Sequence, residues 1–182
     1  MVINMKDKLR IIQTLAKLGK TASFVIFILC IVGASACLAG ASALLLTSSL
    51  EMSDGITLAQ FIESKSTITV NGIYAACAIG GVMCIGEAIA AKYVENYFKL
   101  ELNDGTPFVV SSAQYLRKVG TIKIVATVAC TIISMIIYQI MANAFGGAQD
   151  ISIDNSLSIV LGIVFVIASI ILEYGAEQLN KR

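Results

Sequence analysis

Four long apolar runs dominate this chain and leave few folds open to it. They extend from about Thr21 to Leu46, from Val70 to Ala91, from Ile122 to Ala144 and from Leu157 to Leu172. Each approaches or exceeds the ~20 residues with which a helix crosses ~30 Å of hydrocarbon. None alternates as a barrel strand would. Lipid offers the backbone no hydrogen-bond partner, so a run of this kind must satisfy its own amides and is predicted to be a membrane-crossing helix. Composition agrees, because 57% of the 182 residues are hydrophobic and 14% charged, against about 45–50% and about 25% in a soluble domain. A soluble fold of this size could not enclose that much apolar surface. The first run is too long for the apolar core of a signal peptide and lacks a suitably placed small-residue cleavage site, so it is read as a span. The expectation is one all-α membrane domain over residues 1–182, a four-transmembrane-helix bundle.

The bases set the orientation. Of thirteen Lys and Arg, five precede the first run (Lys6, Lys8, Arg10, Lys17 and Lys20). Five more lie between the second run and the start of the third (Lys92, Lys99, Arg117, Lys118 and Lys123), and Lys181 with Arg182 closes the chain. Only Lys65 falls elsewhere, while the second outer loop carries Asp150 and Asp154 and no base. By the positive-inside rule, both termini and the middle loop are expected on the cytoplasmic side.

Two cytoplasmic lead-ins are expected beside the spans. Met5, Leu9, Ile12 and Leu15 recur at helical spacing among bases, which describes an amphipathic helix over residues 1–20 on the inner membrane surface that runs into the first span. In the loop of residues 92–121, Thr106 is placed as the N-cap and Pro107 as the first residue of a helix over 106–119. Phe108, Ser112, Tyr115 and Val119 share its face. The segment Gln13 to Gly19 also aligns without a gap on Gln114 to Gly120, and Glu87 and Glu173 each stand near the inner end of a returning span. A duplicated two-helix unit about an axis along the membrane normal explains this, and so does chance or convergent interface chemistry.

Several residue sets stand out. Gly72, Ala76, Gly80, Cys84 and Ala88 recur every fourth position in the second run, and Gly33 with Cys37 occupies a similar face of the first. Small residues at this spacing let helix backbones approach, either within one bundle or between subunits. Thr127, Thr131, Ser134 and Tyr138 form a hydroxylic face on the third run, suited to interhelical hydrogen bonding or to lining a solute path. Glu87 is the deepest charge and needs a partner, for which Lys123 and Arg117 are the candidates; Glu173 poses the same question nearer water. An ion pair and a ligand site are both open to these four. The five Cys all lie inside the runs, which suits small packing residues rather than a disulfide framework. With no His, no nucleophile–base set and no phosphate loop, neither an enzyme nor a metal or cofactor site is expected.

The sequence Asp104-Gly105-Thr106-Pro107-Phe108, with Ala113, Leu116-Arg117-Lys118-Val119-Gly120 and Glu173-Tyr174-Gly175-Ala176-Glu177, resembles the bacterial four-span family catalogued as domain of unknown function twenty-nine seventy-five. The resemblance covers the second span to the C-terminus. The chain departs from the pattern at Val109 and Ser112, where that family prefers Thr and Asn. The resemblance implies a small inner-membrane protein, of a family often encoded beside small helix-turn-helix regulators and without an established activity.

Together these features predict a non-enzymatic accessory or regulatory protein of the bacterial inner membrane that binds membrane lipids, another membrane protein or a copy of itself, and no nucleic acid. The rival expectation is a small-solute transporter or channel formed by an oligomer, supported by the hydroxylic face and Glu87.

Overall fold

The computed structural model describes residues 5–47, 69–106, 108–145 and 155–180. Residues 1–4, 48–68 and 146–154 and Pro107 lie outside the described residues, and with them the charges expected in the two loops, as do Lys181 and Arg182. The described chain is all-α, with four helices in order: α1 (Met5–Thr47), α2 (Val70–Asp104), α3 (Val110–Phe145) and α4 (Ser156–Asn180). All four are long and apolar enough to cross a membrane.

The first three exceed the need. α1 has 43 residues and α3 has 36, about 64 and 54 Å at 1.5 Å per residue, against ~30 Å of hydrocarbon. Each lead-in is therefore continuous with its span. The middle lead-in also starts later than expected. α3 begins at Val110, not at Thr106. Gly105 ends α2 in the left-handed conformation (φ 72°) and returns its N–H to the Glu101 carbonyl at 3.0 Å, the closure that only glycine adopts freely. The Thr106 hydroxyl then accepts from the Phe108 N–H at 3.3 Å, within the turn. Asp104 Oδ2 accepts from the Ser112 hydroxyl at 2.9 Å and fastens the first turn of α3 to the end of α2. Side chains outside the expected cap thus decide where the helix starts.

The chain divides into two compact units. Unit 1 comprises Met1–Leu29, Glu87–Val128 and Asn155–Arg182; unit 2 comprises Cys30–Gly86 and Ala129–Asp154. Unit 1 holds all of α4 together with parts of the other three helices. Its core is Tyr97, Leu116 and Val119, against which Tyr93, Phe98, Tyr115, Phe165 and Leu172 pack. α3 and α4 approach most closely at two glycines. A β-carbon on Gly120 would stand 2.8 Å from the Gly162 carbonyl oxygen and 2.9 Å from the Val166 amide nitrogen, so backbone meets backbone there.

Unit 2 is built from three helices. Small residues hold α1 to α2: a β-carbon on Gly33 would lie 3.1 Å from Cys84 Sγ, one on Gly80 3.4 Å from Cys37 Sγ, and one on Gly40 3.7 Å from Cys77 Sγ. This is the close approach that glycine, alanine and cysteine permit in lipid, where van der Waals packing replaces the hydrophobic drive.

The two lead-ins that align in sequence do not pack alike. Gly19 faces the Phe98 ring, beyond Glu87 along α2, whereas Gly120 faces Gly162, ahead of Glu173 along α4. Their contacts are not a repeated set.

Candidate functional site

The Gly120–Gly162 crossing sets the site. Lys123 lies one turn after Gly120 on α3, and Ser158 one turn before Gly162 on α4, so the close approach carries both side chains to Glu87 of α2. Lys123 Nζ donates to Glu87 Oε2, and the Ser158 hydroxyl donates to Glu87 Oε1 at 3.0 Å. Both carboxylate oxygens are thereby engaged. The Lys123 side chain is 10% exposed and that of Glu87 38%. The ammonium is thus the more deeply withdrawn of the two charges, and it depends on the carboxylate for compensation.

A cavity of about 220 Å³ adjoins the pair, lined by Ser23 and Ile26 of α1, Ala90, Ala91 and Val94 of α2, and Leu161 and Phe165 of α4, besides Glu87 and Lys123. The Ser23 hydroxyl is committed to its own helix, donating to the Gly19 carbonyl at 2.8 Å. The wall is otherwise hydrocarbon. Alanine at 90 and 91 opens the space, because larger residues there would fill it.

Of the four charges singled out by sequence, the structure makes two separate pairs. Glu87 takes Lys123, while Arg117 stands 3.8 Å from Glu173. Arg117 is therefore a neighbour of Glu173, not of Glu87. Ser158 was missed: a serine near the start of a helix reads as a cap, and its tie to Glu87 is visible only once α4 is placed. A third cluster, Glu95 with Lys92 at 2.9 Å and Lys99 at 2.5 Å, was legible from spacing alone, since three and four residues bring side chains together on a helix. The Tyr97 hydroxyl likewise meets the buried Glu101.

The register of α4 differs from the one that the apolar runs suggest. Sequence places Ser158 near the outer end of the fourth span and Glu87 near the inner end of the second, yet the two are hydrogen bonded. Further along, Gly162 meets Ile124 and Glu173 meets Arg117. The start of α4 therefore shares one depth with Glu87 and Lys123. An apolar run fixes how long a helix is, not the level at which it packs.

The packing face divides in the structure. Gly33, Cys37, Gly80 and Cys84 meet across α1 and α2. Gly72 and Ala88 are buried, and Ala76 is exposed. On the hydroxylic face, Thr127 is buried and donates to the Lys123 carbonyl at 2.8 Å. Thr131 and Tyr138 are half-buried. Ser134 is 0% exposed, and its hydroxyl and that of Tyr74 lack a hydrogen-bond partner among the described residues.

Fold and site together define a multi-pass, all-helical membrane protein with a neutralised ion pair beside an apolar cavity. No known protein family, no characterised protein and no solved structure matches the chain.

Proposed function

We propose that this is a non-enzymatic accessory or regulatory protein of a bacterial inner membrane, with both termini cytoplasmic, acting by binding a membrane lipid, another membrane protein or a copy of itself. One observation carries the proposal: Glu87 engages both oxygens with Lys123 and Ser158, so this carboxylate ties α2, α3 and α4 together. A carboxylate serving as a general base must instead reach its substrate's proton. The basic residues flanking the spans suit the anionic inner leaflet.

The rival reading, an oligomeric small-solute transporter or channel, draws on the hydroxyls of Tyr74 and Ser134, which lack a hydrogen-bond partner among the described residues. The complete enclosure of Ser134 favours dry packing over a wet path. The test is reconstitution of the whole chain into liposomes of anionic lipid. Impermeability to small polar solutes, together with retention of lipid or a stable homo-oligomer in native mass spectrometry, is expected. Solute flux that Ser134→Val abolishes would overturn the accessory reading. For orientation, a cysteine at exposed Ser111 should label only from the cytoplasmic side, and labelling from outside would overturn that part.

A further inference from the structure

We infer that the cavity beside Glu87 and Lys123 binds the acyl-ester segment of a membrane glycerolipid, with the ester carbonyl accepting a hydrogen bond from the Lys123 ammonium. This rests on the reading that the chain acts by binding, and it names the ligand class.

The hydrogen-bond donors left unspent in the cavity, among the described residues, sit on one group. Glu87 has both oxygens engaged, and the Ser23 hydroxyl has donated to Gly19. An ammonium carries three donors, and the Lys123 ammonium donates to Glu87 alone among the described residues. An occupant that takes up these donors brings an acceptor. The pair is electrically neutral, so an added carboxylate would lie against Glu87 without a cation of its own, at a high cost in an apolar setting. The acceptor is accordingly uncharged. Ile26, Ala90, Ala91, Val94, Leu161 and Phe165 supply hydrocarbon around it. The volume of about 220 Å³ admits a length of acyl chain with its carbonyl. A glycerolipid ester joins an uncharged acceptor to a hydrocarbon chain and is plentiful in a bilayer.

The experiment uses the full-length protein in nanodiscs with two matched phosphatidylglycerol probes, ester-linked and ether-linked, each carrying a diazirine in one acyl or alkyl chain. The ester probe should crosslink to the segments holding Ala90, Val94, Leu161 and Phe165. It should do so about tenfold more than the ether probe, which lacks the carbonyl, since a hydrogen bond to a charged donor contributes on that order. Lys123→Met should abolish the preference, and Ala91→Phe should remove crosslinking in the cavity while labelling at exposed Ile163 and Ile167 persists. Equal ester and ether crosslinking in the unaltered protein would overturn the inference without need of any variant. Displacement of the ester probe by a free fatty acid at equal concentration would also overturn it, assigning the cavity to a carboxylate. Loss of the ester preference in impermeable liposomes removes only the lipid; solute flux removes the broader reading.

Discussion

Unit 1 and unit 2 are held together by different means. In unit 1 charged groups are answered by other side chains: Glu87 by Lys123 and Ser158, Glu95 by Lys92 and Lys99, and Asp104 by Ser112. Between these contacts stand large side chains such as Tyr97, Leu116 and Phe165. In unit 2 the α1–α2 contact is made by glycine and cysteine at van der Waals distance, and hydroxyls such as Ser35 and Ser42 bond carbonyls of their own helix. Directional bonds fix register and fail abruptly when one partner is lost, whereas packing of small atoms degrades by degrees.

The largest expected effect tests the register of unit 1. In a cysteine-free background, Glu87→Cys combined with Ser158→Cys should be joined nearly completely by a short bifunctional thiol reagent, which spans the extra reach of the Glu87 side chain in the native bond, and neither single change should do so. No crosslink would break the placement of α4. Next comes the helix crossing. Gly120→Leu forces a side chain against the backbone of α4 and should cost about 3 kcal/mol. Gly40→Ala in unit 2, whose new atom would lie 3.7 Å from Cys77 Sγ, should stay within about 0.5 kcal/mol. Denaturation in mild detergent reads both, and equal losses would erase the contrast between the units.

Glu87→Ala should destabilise by about 2 kcal/mol, less than a fully buried pair because the carboxylate is partly solvated, and Glu87→Gln by about half of that. Adding Lys123→Met to Glu87→Ala should recover much of the loss, since no charge is then stranded; a double-mutant cycle measures the recovery. If Glu87→Ala left stability unchanged but abolished partner or lipid binding, Glu87 would be a binding residue and not a tie between helices. The smallest effects belong to exposed groups. Arg117→Ala, which removes a mostly solvated pair with Glu173, should cost no more than about 0.5 kcal/mol. A similar cost is expected of Glu177→Ala, and a large loss at either position would extend unit 1's dependence on ion pairs to its surface.

The helices were legible because an apolar run of sufficient length has one outcome in lipid. Lys123 was legible as a partner for Glu87 because the topology brings few bases to that depth. The start of α3 was not, since Thr106 and Pro107 offer a local cap that Gly105, Asp104 and Ser112 override through contacts between residues seven and eight positions apart. The level of α4 was hidden for a related reason. Its apolar run is uniform enough to slide, and what stops it is the pair Gly120 and Gly162 with Ser158, whose meaning depends on a second helix. The small-residue stripe allowed two partners in sequence, and the contacts of Gly33 with Cys84 and Gly80 with Cys37 assign its middle to α1 and α2.

The composition of the two units also sets an order of construction. Unit 2 draws on nothing after Asp154, while unit 1 needs both Met1–Leu29 and Asn155–Arg182. A chain made from its N-terminus can complete unit 2 before α4 exists, whereas Met1–Leu29 must wait for Asn155–Arg182 to complete unit 1. Until then Glu87 lacks the Ser158 hydroxyl, and the cavity lacks the wall that Leu161 and Phe165 provide. A nascent chain stalled short of α4 therefore presents Lys123 and Glu87 uncovered, which makes the arrival of α4 the event that closes the site.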